Sequence, residues 1–325
     1  MKTITLEEHF VTSDFLKATG AYGQSVPEPM RAIRDKLLDL GDGRIAAMDE
    51  GGITLQLLSL AAMGIDDLAP ANQTAVFHDV NDELAAAVRA HPDRFAGFAT
   101  PALKEPAAAV KELERCIRDL GFKGLYVNGT TDGKFFDAPE FFPILEAAEA
   151  LNVPLYLHPA PPSPIIQKAY YSDLPGDTGM LLSIAGWGWH AELGLHLLRL
   201  IVSGVFDRLP NLQVIVGHMG EGVPYALARS NGILSAAAKN LKRSVTETIL
   251  AQVHITTSGY FTRPPFDCAR QVLGLDHLMY SVDYPFSPNT RGRDFLATLQ
   301  SSQPALTTSE MEALTHGNAE RLLHL

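Results

Sequence analysis

The sequence predicts an α/β fold of the (β/α)8 barrel kind, a TIM barrel, and three observations lead there. Eight short runs rich in β-branched and aromatic residues alternate with amphipathic stretches, the order that buries a parallel sheet under helices. No glycine-rich dinucleotide loop follows the first run, which argues against an open doubly wound sheet built from the same alternation. The chain of 325 residues is 46% hydrophobic and 19% charged, enough to bury one large core. No internal repeat, low-complexity tract or linker divides it, so residues 1–325 read as a single barrel domain.

The strands are expected at ITLEEHF (4–10), ITLQLLSL (53–60), RFAGFATP (94–101), GFKGLYVNG (121–129), VPLYLHP (153–159), LQVIVGHMG (212–220), HITTSGY (254–260) and LMYSVDYP (278–285). Strict alternation in the first sends Glu7 and His9 to one face and Leu6, Glu8 and Phe10 to the other. Helical stretches lie between the strands, as in 72–91, where Val76, Val80, Leu84 and Val88 recur every fourth residue as a core stripe. Two insertions follow strand one (11–30) and strand five (160–186). Both leave the C-terminal ends of strands, where barrel enzymes keep their active sites, so lids or pocket walls are the functional reading. Loop variation or an oligomer contact is the plainer one.

With 26 Lys and Arg against 37 Asp and Glu, the net charge is -11, and no basic run is long enough to track a phosphate backbone. Nucleic acid is therefore not an expected partner. The two cysteines, Cys116 and Cys268, fall in predicted helices and make neither a disulfide framework nor a thiolate cage; both are expected to be buried. No segment approaches the roughly 20 apolar residues that span a bilayer, and the first residues lack the apolar stretch of a secretory signal. The expected compartment is the cytoplasm, with no membrane partner.

Polar residues collect at the C-terminal ends of the predicted strands: Glu7 and His9, Asn128, His158, His218 with Glu221, and Asp283. In a closed barrel these ends converge. Glu7, His9, His158 and Asp283 form a nitrogen and oxygen ligand set without thiolate, suited to one divalent cation, Zn²⁺ or Mn²⁺, with Mg²⁺, Fe²⁺ and Co²⁺ as alternatives. Each residue alone is more simply a hydrogen-bonded structural group; four on one rim favour a metal. His218 stands in GHMGEG, where flanking glycines expose the ring and Glu221 can orient it, the arrangement of a general base or proton relay. The bland alternative is a histidine that ties down a turn. Asn128, Arg229, Tyr284 and Phe286 are candidate substrate contacts, although Arg229 reads more simply as a surface arginine of a helix. His190 and His196, near Trp187 and Trp189, suit an interface or pocket wall as well as chemistry. His78, His91, His254, His277, His316 and His324 are expected to be structural. Lys123 precedes the apolar part of strand four, which disfavours a bridging carboxylated lysine and so favours a single metal.

Taken together, LEEHF, YLHP, GHMGEG with HITTSG, and YSVDYPF resemble the decarboxylase branch of the amidohydrolase superfamily, near the gamma-resorcylate and 2,3-dihydroxybenzoate decarboxylases. Aminocarboxymuconate semialdehyde decarboxylase is a more distant likeness. The similarity extends through NDELAAAVRAHPDRFAGFATPAL and GFKGLYVNG, almost end to end. It implies a mononuclear metal, no redox or organic cofactor, a small aromatic carboxylate as substrate, and a homodimer or homotetramer. Matched position by position, Glu7, His9, His158 and Asp283 correspond to metal ligands, and His218 with Glu221 to the proton-handling pair. Glu8, on the other face, is expected to meet an arginine or lysine of the helical layer. Other superfamily members carry His-x-His where this chain has Glu7, and the added negative charge weakens a metal's pull on water, which disfavours hydrolysis. Tyr284 stands where a tryptophan is expected, and residues 160–190 diverge; these are pocket positions, so the resemblance does not fix which aromatic acid is the substrate.

The expected reaction is reversible, nonoxidative decarboxylation of an ortho-hydroxybenzoate. The metal orients the carboxylate and neighbouring phenolate; Asp283, protonated at the outset, protonates the ring carbon that bears the carboxyl group, and carbon dioxide leaves. Burial and Glu7 favour a protonated Asp283, whereas the cation opposes it. Two rivals are a metal-dependent hydrolase of a lactone or amide, which releases no carbon dioxide, and a noncatalytic barrel. The complete polar rim counts against the latter, because buried charge without a task costs stability.

Overall fold

A strand falls on each predicted run, the seventh starting one residue early: β1 (Ile4–Phe10), β2 (Leu55–Leu60), β3 (Phe95–Gly97), β4 (Leu125–Asn128), β5 (Leu155–His158), β6 (Val214–Val216), β7 (Val253–Thr256) and β8 (Leu278–Met279). The structure is a computed structural model that describes residues 1–21, 28–62, 65 and 68–325. All pairings are parallel and sequential, in ladders β1-β2-β3 and β4-β5-β6-β7-β8. Two seams join the ladders. At one, Ala99 N–H donates to Gly124 O and Tyr126 N–H to Ala99 O, both at 2.8 Å. At the other, His9 N–H donates to Tyr284 O at 2.7 Å. These bonds close the eight strands into the ring of a (β/α)8 barrel.

Two apolar layers hold the ring. Ile4, Leu6, Leu57, Phe98, Tyr126, Tyr156, Ile215 and Met279 fill the barrel, and Ala319 and Leu323 pack with them from the last helix. A larger layer lies between strands and helices. Several helices begin with proline in their first turn, as in Pro70–Ala90, Pro106–Arg118 and Arg263–Leu273, where the missing N–H has no intrahelical partner to lose. The helix Pro106–Arg118 buries Ala109, Leu113 and Cys116 as one stripe. Cys268, by contrast, is half-buried, because it lies off the stripe of Phe266, Ala269 and Leu273. The helix Asp42–Gly51 is not evident from the sequence, since its buried positions are Arg44, Met48 and Gly51 rather than an apolar stripe.

β1 departs from strict alternation. Thr5 pairs with Gln56 and Glu8 with Leu58, so two residues, Leu6 and Glu7, stand against one. This β-bulge re-phases the strand: Leu6 joins Ile4 inside the barrel, and Glu7 and His9 still reach its mouth. Leu6 therefore does not share the face of Glu8 and Phe10, as alternation alone would have it. The N–H groups of Leu6 and Glu7 both donate to Ser281 Oγ, at 3.1 and 2.7 Å, which pins the bulge to the segment after β8.

Of the first insertion, residues 22–27 lie outside the described residues. The second holds two short helices, Pro164–Tyr171 and Thr178–Ser183, before the long helix Gly188–Val202. Among the described residues no helix is long and apolar enough to cross a membrane.

Candidate active site

The strand ends set out the first half of the mouth. Glu7 Oε2 accepts from Tyr156 Oη–H at 2.5 Å, from Thr256 Oγ1–H at 3.1 Å and from Ser258 Oγ–H. Glu7 Oε1 is buried without a hydrogen-bond partner, 3.4 Å from His158 Nε2. Gly217 is required here, because a Cβ at that position would overlap the Glu7 carboxylate. His158 Nδ1 lies 2.8 Å from Asn128 Oδ1, an acceptor, so the ring proton sits on Nδ1 and the Nε2 lone pair is free. His9 Nδ1 is 3.2 Å from Ser59 Oγ, and its Nε2 is buried without a hydrogen-bond partner, 3.2 Å from Asp283 Oδ1.

Buried polar atoms are nearly always paired, so orphans that converge call for an explanation. Ligand atoms of Glu7, His9 and His158 lie within 4.8 Å of one another, as do those of Glu7, His218 and Asp283. Two imidazole nitrogens and carboxylate oxygens aimed at one point fit a divalent cation of the Mn²⁺ or Zn²⁺ type.

The turns after β6 and β8 supply the second half. His218 Nδ1 is 2.8 Å from Glu221 Oε1, and its Nε2 is 3.7 Å from Asp283 Oδ2. The other oxygen of Glu221 is held at 2.5 Å by His190 Nδ1, from the helix Gly188–Val202. Burial would lower the His218 imidazole, but the carboxylates of Glu7 and Glu221 outweigh it and hold the ring well above its usual range. Burial would raise Asp283, but the neighbouring His218 and His9 imidazoles keep its carboxyl below the usual range. Glu221 is likewise lowered, its burial outweighed by His218 and His190. The field of these groups thus favours charge on the His218 imidazole and on the Asp283 carboxylate. His158 is driven the other way, by burial and the neighbouring imidazoles, and stays neutral.

Above these groups opens a cavity of about 620 Å³. Its floor is His9, His158, His218 and Asp283; its walls include Met30, Ile184, Trp189, His190, Tyr260 and Phe286, so both insertions contribute to it. Among the described residues no lysine or arginine lines it.

The other candidates fall in different places. Phe286 is a wall, its ring 5.5 Å from that of His9. Asn128 stands behind His158 as its hydrogen-bond partner rather than in the cavity. Arg229 is exposed on the helix Val223–Ala237, away from the cavity. Tyr284 turns outward, its ring centroid 5.0 Å from the Arg44 guanidinium carbon. The two tryptophans part company, Trp189 facing the cavity and Trp187 standing 62% exposed. His196 is buried and accepts the Phe136 N–H at 2.8 Å. Glu8 meets no helix-borne cation directly: it accepts from Ser281 Oγ–H and the N–H groups of Val282 and Tyr284, while the Arg44 guanidinium bonds backbone carbonyls of His9, Lys36 and Asp39. Burial pushes Glu8 up to about 7 against those bonds. His190 was the least legible participant, since only its place after a divergent insertion marked it out.

Comparison with known proteins agrees with this geometry. The profile of the amidohydrolase family matches residues 29–325. The decarboxylase orsB of Emericella nidulans is 37% identical over 98% of this chain and 96% of its own length. Gamma-resorcylate decarboxylase of Polaromonas sp. is 35% identical over 99% of this chain and 98% of its own. The crystal structure of a dihydroxybenzoic acid decarboxylase from Polaromonas sp., with bound manganese and the inhibitor 2-nitroresorcinol, aligns with a TM-score of 0.87 and 32% identity over 100% of this chain and 97% of that one. The chain belongs to the amidohydrolase family.

Proposed function

We propose that this protein is a metal-dependent carboxy-lyase that removes the carboxyl group of an ortho-hydroxybenzoate, without redox chemistry or an organic cofactor. One observation carries the reading: the orphaned Glu7 Oε1 lies 3.4 Å from His158 and the orphaned His9 Nε2 lies 3.2 Å from Asp283, at the base of a cavity that His218 also lines. A single divalent cation held by Glu7, His9, His158 and Asp283 supplies the positive centre that orients the acid and withdraws charge.

The side chains manage the proton. His218 holds it between Glu221 and Asp283 and passes it across to Asp283 Oδ2. Asp283, the carboxylate that reaches the cavity, delivers it to the ring carbon bearing the carboxyl group. The ring loses aromaticity, carbon dioxide departs with the bond broken, and aromaticity returns. Glu221 and His190 keep the His218 ring in place throughout.

Self-association belongs to the same reading. Ile165, Tyr170, Met180, Leu181, Trp187 and Leu195 are all exposed along the second insertion and the helix after it, a concentration of apolar surface suited to a homodimer or homotetramer. Sedimentation of the purified chain tests it, and a monomer would refute it.

Metal analysis coupled to an ultraviolet screen of hydroxybenzoates, with carbon dioxide trapped, tests the activity. One metal per chain and release of a phenol with carbon dioxide are expected. A metal-loaded chain that opens lactones or amides and releases no carbon dioxide would replace the decarboxylase with a hydrolase.

A further inference from the structure

Glu8 is a fully buried acid for which the reaction above has no use, on the opposite face of β1 from Glu7. Its Oε1 accepts from Ser281 Oγ–H and Val282 N–H, each at 3.0 Å, and its Oε2 from Tyr284 N–H at 2.9 Å. Val282 and Tyr284 are the residues on either side of Asp283. The carboxylate therefore spans a residue that it does not bond.

Asp283 has φ of 73°, a left-handed conformation that a non-glycine residue keeps only where its surroundings over-determine it. Those surroundings are Glu8 on the flanking N–H groups and the Ser287 N–H on the Asp283 carbonyl, at 2.9 Å. Ser281 adds a second tie. Its hydroxyl accepts from Leu6 and Glu7 and donates to Glu8, so its one donor and two acceptor sites are all used to join the β1 bulge to the turn.

We propose that Glu8 is a positioning residue for Asp283, holding the turn after β8 so that the Asp283 carboxylate stands opposite His9 and His218. Consecutive glutamates then serve one site from two faces of one strand: Glu7 supplies a ligand directly, and Glu8 sets the geometry of a ligand carried by a distant segment. This role rests on the metal-site reading above. A displacement of about 1 Å at such a group is enough to cost on the order of a hundredfold in rate.

Glu8→Gln tests it, because an amide keeps the shape but turns an N–H toward Val282 or Tyr284, both of which are donors. The Mn²⁺ dissociation constant, measured by chelator competition on metal-free protein, is expected to rise about 10- to 100-fold, as when outer partners of metal ligands are lost. In the metal-saturated enzyme, kcat is expected to fall by a similar factor while KM stays within about twofold. A folded Glu8→Gln protein with wild-type Mn²⁺ affinity and kcat overturns the proposal, even if it melts earlier. Should that variant not fold, Ser281→Ala removes one of the three donors, and a smaller rise in the dissociation constant is expected; wild-type affinity there overturns the proposal equally. A wild-type chain that binds Mn²⁺ but decarboxylates no hydroxybenzoate overturns the decarboxylase reading and leaves the affinity measurement to decide on Glu8.

Discussion

The two halves of the barrel mouth are built by different means. On the side of β1 and β5, Glu7, His9 and His158 project from hydrogen-bonded strand, and their positions follow from strand geometry with one bulge. On the side of β6 and β8, the groups that handle the proton ride on turns of left-handed backbone: His218, Met219, Glu221 and Asp283 have φ of 44°, 56°, 55° and 73°. These are four of the eight non-glycine residues with positive φ among the described residues, gathered in two short turns. Each costs on the order of 1 kcal/mol or more, which the buried hydrogen bonds of Glu8, Glu221 and Ser258 offset. Regular strands suffice to present lone pairs to a cation. Holding the His218 imidazole 2.8 Å from Glu221 with its other nitrogen facing Asp283 takes a backbone bent out of its ordinary range.

Asp283 belongs to both halves, and its loss is the largest expected effect. Asp283→Asn should fold and lower kcat by about 10⁴-fold, the upper range for a removed acid–base group; a variant that still releases carbon dioxide at the wild-type rate would erase the distinction drawn above. The next pair separates the halves. Glu221→Gln should reduce kcat roughly a hundredfold and leave Mn²⁺ affinity unchanged, whereas Asn128→Ala, which frees His158 Nδ1, should weaken Mn²⁺ binding about 10- to 100-fold. If both variants alter the same parameter, the division into a ligand half and a proton half fails. Gly217→Ala forces a methyl group into the Glu7 carboxylate, and urea unfolding should report a loss of about 1–3 kcal/mol together with weaker metal binding. An unperturbed variant would mean that Glu7 has room to yield.

The last effect, absent above pH 6.5, lies outside both halves. His196 is buried as a neutral acceptor, with its imidazole pushed down to about 3 by burial. Between about pH 6.5 and 3 the unfolded chain takes up a proton that the folded one refuses, so stability falls as pH drops across that window, by roughly 1.4 kcal/mol per pH unit. Above pH 6.5 the group contributes no slope. His196→Gln should flatten the acid limb of unfolding free energy against pH, and an unchanged limb would assign that slope to other groups, His254 being the obvious one, since burial also pushes it to about 3.

Much of the molecule was legible because it is encoded locally. Periodicity and composition locate all eight strands, and the convergence of strand ends in a barrel places Glu7, His9, His158, His218, Glu221 and Asp283 on one rim. Helical starts were marked by proline, whose effect depends on its own ring and N–H alone. The helix Asp42–Gly51 escaped because a buried arginine and glycine carry no amphipathic signal.

What only the tertiary structure decided depends on contacts between residues far apart in the chain. The bulge in β1 exists because Ser281, some 275 positions on, accepts two consecutive N–H groups. Glu8 finds backbone donors on the strand-eight turn where the local sequence suggests a cation on a neighbouring helix. His190 is recruited by Glu221 across 31 positions, Tyr284 is drawn outward to Arg44, and the His218 imidazole is raised by the two carboxylates that flank it. A strand's period is a property of its own backbone, and so can be read along the chain. A hydrogen bond between segments, and the field at a buried imidazole, are properties of the closed barrel.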